Sequence, residues 1–121
     1  MLCGDFFIGV DAMNISTAFS AGRLTIYLNG ELDQHEARAT SACISELIDE
    51  YLPRDCALDL SALSFMDSSG IAVIVKANRQ LSSFGGRLWV ENPAGQALRV
   101  LDAAGLDRMI PVDSGRIGGW K

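Results

Sequence analysis

Apolar residues alternate with polar ones in two segments near the start of the chain, at 14–19 and at 24–28. The residues on one side of these segments are Ile15, Thr17 and Phe19, then Leu24, Ile26 and Leu28. A period of two is typical of strands that have one buried face. A turn at 20–23 separates the segments, so the pattern predicts a β-hairpin.

Later segments repeat their apolar residues at the spacing of an α-helix. The first of these helices is predicted to begin at a capping pair, Asp33 and Glu36, whose side chains satisfy N–H groups at the helix start. The last is predicted to begin with Asn92 as its N-cap and Pro93 in its first position, and to end at Gly105.

Three further short strands are predicted at 56–60, 87–91 and 109–112. The order of elements is then ββαβαβαβ, in which strands alternate with helices after the hairpin. This order implies an α/β fold with a mixed sheet, because strands that are joined through helices lie parallel.

One domain is predicted, because 121 residues of 49% hydrophobic composition suffice for a single buried core. We expect the domain to span residues 13–112. Residues 1–12 are an N-terminal extension that either adds a short edge strand or precedes an alternative start at Met13. Residues 113–121 are rich in glycine and are expected to form a flexible tail.

Charge and cysteine content argue against several classes of protein. The net charge is −5 and Lys and Arg do not cluster, which argues against a nucleic-acid surface. Cys3, Cys43 and Cys56 are widely spaced and indicate reduced thiols rather than a disulfide or zinc framework. Neither a transmembrane run nor a signal peptide is evident. We therefore expect a cytoplasmic protein with no membrane partner and no cofactor.

The most informative stretch is residues 58–75, where a strand pattern runs through a short loop into Asp67-Ser68-Ser69-Gly70. An apolar helical pattern then starts at Ile71. A helix start exposes unpaired N–H groups and a partial positive charge, which attract anions. A serine at that place is either an N-cap or the acceptor of a phosphate group that carries about −1.5 to −2 charges. Both interpretations of Ser68 are open on these residues alone.

Four short motifs resemble one family in the same order and spacing. They are Ser-Phe-Met-Asp-Ser-Ser-Gly-Ile at 64–71, Gly-Glu-Leu-Asp at 30–33, Phe-Gly-Gly at 84–86 and Leu-Asp-Ala-Ala-Gly-Leu at 101–106. Together they resemble the anti-sigma factor antagonists, single-domain members of the STAS family, and most of all the sporulation members. The resemblance covers residues 13–112. It implies a single STAS-like domain whose helices pack mainly on one face of the sheet.

The resemblance also implies a function. The serine directly after the aspartate is the family's phosphate acceptor, and this serine is Ser68 here. An unphosphorylated member binds an anti-sigma factor that is also a serine kinase, and the sigma factor is released. Phosphorylation by that kinase ends the binding, and a serine phosphatase restores it. The protein implied is a kinase substrate and a ligand rather than an enzyme.

The predicted partner surface comprises Asp33, Glu31, Asp67, Ser69, Gly70, Ile71 and Ile74. The two aspartates can instead be simple helix caps, and Ser69 can be a cap or a hydrogen-bonding partner. Gly70 is expected to leave room for a kinase to approach the backbone. The two isoleucines are either core or interface residues.

Two other classes of function fit parts of the pattern. The domain can be a STAS scaffold or sensor module of a stressosome-like or transport-associated complex, in which self-association or a membrane complex is the function. An enzyme would rest on Ser68 together with His35, the single histidine. The absence of a Gly-x-Ser-x-Gly elbow argues against that enzyme.

Overall fold

The predicted hairpin is present within a larger sheet. A computed structural model describes the backbone of residues 6–8 and the whole of residues 13–113. The strands are β1 (Phe6–Ile8), β2 (Met13–Ser20), β3 (Arg23–Leu32), β4 (Asp55–Met66), β5 (Arg87–Glu91) and β6 (Val112–Asp113). The helices are α1 (Gln34–Tyr51), α2 (Ser68–Ser82) and α3 (Gly95–Ala104), and a 3-10 turn follows at Leu106–Arg108.

These strands form one sheet, in the order β1-β2-β3-β4-β5-β6. β1, β2 and β3 are antiparallel, whereas β3 to β6 are parallel. Parallel neighbours need a crossover connection, which α1, α2 and α3 supply in turn. The predicted α/β fold with a mixed sheet is confirmed. β1 adds one strand to the predicted order, so the edge-strand alternative for residues 1–12 describes Phe6–Ile8.

The core lies between the sheet and the helices. Alternate residues of β3 and β4 are buried toward the helices, namely Leu24, Ile26, Leu28, Cys56, Leu58 and Leu60. On the other face of β3, Tyr27 is 41% exposed, which agrees with helices that cover mainly one face. No helix in the described part of the chain has the length and apolar character needed to cross a bilayer.

Phe19 departs from the predicted pattern. It was expected to share a buried face with Ile15, which is 1% exposed, yet Phe19 is 43% exposed. Phe19 stands near the end of β2, where its ring lies beside the ring of Tyr51 with 4.7 Å between the centroids. The strand continues past the core at this end, so alternation alone does not bury its last aromatic residue.

The third helix begins later than predicted. It starts at Gly95, and its N-cap Ala94 makes no side-chain hydrogen bond. Asn92 and Pro93 precede the helix, so the predicted cap and first position are wrong. Asn92 instead adopts a left-handed backbone with φ of 54°, and its Nδ2 donates to Asp59 Oδ2 at 3.2 Å. Asp59 is 8% exposed, and a buried carboxylate requires donors.

The chain after α3 differs from prediction in part. Gly105 ends α3 in the left-handed conformation with φ of 66°, as predicted. The strand predicted at 109–112 is shorter, because the 3-10 turn and its hydrogen bonds occupy the chain up to Ile110. Of the predicted tail, only Asp113 is described, and it belongs to β6.

Two of the three cysteines can be assessed, since Cys3 lies outside the described residues. Cys43 and Cys56 are both buried, as predicted, and Cys56 is a free thiol. Desolvation by burial raises the pKa of Cys56 to about 12. Because the thiolate is the reactive form, burial and the raised pKa make Cys56 a core residue that is poorly suited to redox or nucleophilic chemistry.

Candidate functional site

The predicted site lies where two adjacent parallel strands end. In the register of β3 and β4, Glu31 pairs with Phe65 and Leu32 pairs with Met66. The Asp67 N–H donates to the Leu32 carbonyl at 3.4 Å. The chain enters α1 directly after β3 and α2 directly after β4. Both helix starts therefore meet at one edge of the sheet, where α/β folds commonly place their sites.

An aspartate caps each of these helices. Asp33 Oδ1 accepts from the N–H of His35 at 2.9 Å and from that of Glu36 at 3.1 Å. Asp67 Oδ1 accepts from the Ser69 N–H at 2.8 Å. A carboxylate suits these positions because it also opposes the partial positive charge of the helix start. The suggestion that Ser69 is the cap is wrong, because Asp67 fills that role.

The capping pair of α1 is half formed. Glu36 is buried, and in the described structure neither its Oε1 nor the Oγ1 of Thr40 one turn later has a hydrogen-bond partner. Within the described residues the bond between these two side chains and backbones runs one way, from the Glu36 N–H to Asp33 Oδ1, whereas a complete capping box would add the return bond to the Asp33 N–H. The start of α1 depends on Asp33 alone.

Ser68 is the exposed first residue of α2. Because Asp67 caps the helix, the Ser68 hydroxyl has no capping role, and it makes no hydrogen bond to any described residue. Ser69 is half-buried and lines a cleft between α1 and α2. Of the two serines, Ser68 is the one that is exposed to solvent.

Gly70 has a packing role that the sequence analysis did not expect. It is buried, and a Cβ at this position would overlap the Cγ of Met66, lie 2.8 Å from its Sδ and lie 3.2 Å from Leu32 Cδ2. The expectation that Gly70 leaves room for a kinase is wrong, since the space is filled by Met66. The glycine lets α2 start close against the ends of β3 and β4.

Replacing Gly70 by Ala should therefore destabilise the fold. Overpacking against Met66 costs about 1–3 kcal/mol, and the better helix propensity of Ala returns up to about 1 kcal/mol. We expect a net loss of roughly 1–2 kcal/mol in the free energy of unfolding, measured by urea denaturation. Ser82→Ala at the exposed end of α2 is the control and should cause no loss. A Gly70→Ala variant as stable as the wild type would contradict this packing argument.

The apolar residues of the predicted partner surface are divided by the structure. Ile71 is half-buried and packs against the core, while Ile74 has no exposed surface. The prediction that Ile74 contacts a partner is wrong, because it is a core residue. An apolar residue that the sequence analysis missed is Phe65, which is 38% exposed beside Glu31. It was missed because β4 was expected to end at Leu60.

A second missed residue is Gln96, in the first turn of α3. Its Oε1 accepts from the Met66 N–H, and its Nε2 donates to the Met66 carbonyl, each at 2.8 Å. Both backbone groups of Met66 are thus held by one side chain. Met66 directly precedes Asp67 and Ser68, so Gln96 positions the loop that carries the candidate phosphate acceptor.

A cleft of about 340 Å³ opens beside the site, between α1 and α2. Its polar lining residues are Arg38 and Ser41 of α1 and Ser69 and Lys76 of α2, and Ala37, Ala72 and Val73 complete it. The sequence carried a usable signal, because these positions recur at helical spacing on one face of each helix. That signal identifies the cleft only once α1 and α2 are known to be neighbours.

The charges at this edge of the sheet are mostly negative. Glu31, Asp33 and Asp67 all lie there, and Glu31 is exposed. The ion pairs within residues 13–113 join Arg23 to Glu91 at 2.6 Å and Arg87 to Asp55 at 3.2 Å. None of the three site carboxylates takes part in an ion pair within the described residues, so a phosphate on Ser68 would meet negative charge that no salt bridge neutralises.

Neither a catalytic pair of Ser68 and His35 nor a metal site is assembled among the described residues. His35 is exposed, and its ring makes no hydrogen bond to Ser68 or to any other described residue. No group of three His, Cys, Asp or Glu residues within 13–113 could hold a metal ion. The chemistry that the site offers is an accessible hydroxyl on a charged surface.

Comparison with known proteins agrees with this geometry. The family model of the STAS domain matches residues 14–116. The anti-sigma F factor antagonist of Paenibacillus polymyxa is 31% identical over 100 residues, which cover 83% of this chain and 86% of that protein. The anti-sigma F factor antagonist of Lysinibacillus sphaericus is 35% identical over 83 residues, which cover 69% of this chain and 71% of that protein.

Solved structures give the same result. The anti-sigma factor antagonist SpoIIAA in its unphosphorylated form has a TM-score of 0.70 and 27% identity, over 84% of this chain and 89% of that one. The phosphorylated form of the Bacillus cell fate determinant SpoIIAA has a TM-score of 0.62 and 27% identity, over 84% and 92%. These relatives are regulatory binding proteins and not enzymes, as the sequence analysis expected of this chain. With most of its length matched by the family model and by these relatives, the chain belongs to the STAS domain family.

Proposed function

We propose that this protein is an anti-sigma factor antagonist whose binding is switched off by phosphorylation of Ser68. Unphosphorylated, it binds an anti-sigma factor and thereby releases a sigma factor in the cytoplasm. The observation that carries the proposal is the exposed Ser68 hydroxyl, which directly follows the capping Asp67 and has no structural bond of its own. The named relatives support it, because they are anti-sigma factor antagonists and one of them is solved with and without phosphate.

The chemical step is a phosphoryl transfer. The anti-sigma factor acts as the serine kinase and positions ATP so that Ser68 Oγ attacks the γ-phosphorus. The bond to the β-phosphate oxygen breaks, a base of the kinase takes the hydroxyl proton, and ADP leaves. A serine phosphatase later hydrolyses the phosphoserine with water and releases inorganic phosphate. This chain contributes the nucleophile and its placement, and the partner contributes the catalysis.

The switch acts through surface charge in this proposal. A phosphate brings about −1.5 to −2 charges to an edge that already holds Asp33, Asp67 and Glu31. The start of α2 offsets part of that charge by up to about 1 kcal/mol. The fold is therefore retained, while an interface formed around a neutral hydroxyl is disfavoured. We propose residues 13–112 as the body of the domain, and β1 and Asp113 of β6 extend its sheet beyond these limits.

The acceptor assignment is tested by incubating the protein with ATP and the anti-sigma factor of the same organism. Intact-mass measurement should show one added phosphate, and peptide mapping should place it on Ser68. Ser69→Ala is the matched control and should be phosphorylated like the wild type, whereas Ser68→Ala should take up none. Phosphate on Ser69, or on the Ser68→Ala variant, would show that the assignment is wrong.

A further inference from the structure

We propose that the cleft between α1 and α2 receives an acidic side chain of the anti-sigma factor. This inference rests on the proposed function and names a second contact in the same complex. The cleft lies beside the candidate phosphate acceptor, because Ser69 lines it and directly follows Ser68. It is therefore continuous with the surface that the partner must cover to reach the Ser68 hydroxyl.

The charge of the cleft determines what it binds. Arg38 and Lys76 stand on its opposite walls, and neither forms an ion pair within the described residues. The whole chain has a net charge of −5, so a cleft lined by two cations and no carboxylate is a local exception. A guanidinium and an ammonium bind a carboxylate through short, charge-assisted hydrogen bonds. The hydroxyls of Ser41 and Ser69 can donate to the same group.

The size and lining of the cleft are sufficient to accommodate an acidic side chain. About 340 Å³ is near the lower limit of small-molecule sites. Val73 is 4% exposed, and together with Ala37 it forms an apolar lining. The methylene groups of an aspartate or glutamate would contact these residues while the carboxylate meets the cations.

The cleft also gives the complex one orientation. Carboxylates lie at the strand ends and cations lie in the cleft, so the partner must present a basic group next to an acidic one. Such paired complementarity selects a single register of docking. A phosphate on Ser68 would then repel the partner's acidic side chain as well as adding to the local negative charge.

The test is the affinity for the purified anti-sigma factor, measured by titration calorimetry. The double variant Arg38→Gln/Lys76→Gln should bind at least tenfold more weakly than the wild type. The control double variant Arg99→Gln/Arg108→Gln removes the same charge from exposed positions outside the cleft and should bind within twofold of the wild type. Thermal melting should show that both variants remain folded.

Two substitutions at Lys76 determine the sign of the charge on the partner group that occupies the cleft. Lys76→Glu should weaken binding more than Lys76→Gln does, because it repels an acidic side chain. Equal loss in both double variants would mean that only net charge matters, and no loss in the cleft variant would mean that the cleft is not used. A change in self-association measured by light scattering would assign the cleft to a second copy of this chain. Any one of these three results would overturn the inference about the cleft and leave the proposed function intact. A wild-type protein that neither binds the anti-sigma factor nor is phosphorylated would overturn the proposed function as well.

Discussion

Phosphorylated protein should bind the anti-sigma factor about a hundredfold more weakly than unphosphorylated protein, a difference of roughly 3 kcal/mol. The reason is that a dianion at Ser68 is placed in an interface beside Asp67 and Asp33, where like charges cost several kcal/mol. Ser68→Asp adds one charge and fewer oxygens, so it should weaken binding by a smaller factor. Ser68→Ala should bind like the wild type. Titration calorimetry with nucleotide present measures all four forms.

The same measurement separates the switch from the scaffold alternative. A scaffold module would show one affinity for its partner in every form, and self-association would be the property that changes. Equal affinities of the Ala, Asp and phosphorylated forms for the anti-sigma factor would defeat the proposed function. A thermal melt accompanies each form, because a large drop on phosphorylation would mean that the loop unfolds and that surface charge is not the cause.

Replacing Gln96 by Leu should lower the free energy of unfolding by about 2–4 kcal/mol. The change leaves the N–H and carbonyl of the buried Met66 without the two bonds that Gln96 now makes. Each unsatisfied buried group costs about 1–3 kcal/mol. Leu is close to Gln in volume, so the loss reports the missing bonds rather than a cavity. Urea denaturation measures the effect.

Gln80→Leu provides the matched control. Gln80 Nε2 donates to the Ser45 carbonyl at 3.1 Å and to Asp49 Oδ1 at 3.0 Å. Asp49 is exposed, so water can replace much of this bonding, and the loss should stay below about 1 kcal/mol. If the two variants lose equal stability, Gln96 has no special role. Slower phosphorylation in Gln96→Leu but not in Gln80→Leu would show that this side chain also positions Ser68.

Local patterns were sufficient to predict much of the fold. Alternation in the hairpin and helical spacing in α1 and α2 each depend on a single buried face, which a sequence displays directly. The aspartates that precede the first two helix patterns, Asp33 and Asp67, were correctly identified as possible caps. The junction that carries Ser68 could therefore be located, because a capping aspartate is followed directly by an apolar helical pattern.

The features that were missed depend on contacts between distant residues. Asn92 looked like a helix cap, but it bonds the buried Asp59 across 33 positions. Gly70 was expected to leave room for a kinase, but the space beside it is occupied by the Met66 side chain of the preceding strand. Gln96 bonds a backbone segment 30 residues earlier. Each role is set by which elements become neighbours, and that information is absent from spacing along the chain.

The edge strands of the sheet affect how readily copies of this protein aggregate. Its long strands β2, β3 and β4 are all interior, and the outermost strands in the described chain, β1 and β6, have three and two residues. An exposed strand edge is a template on which other chains can add, and short edges offer few unpaired backbone groups for such addition. The described part of the sheet therefore leaves little backbone to which a strand of another copy could pair.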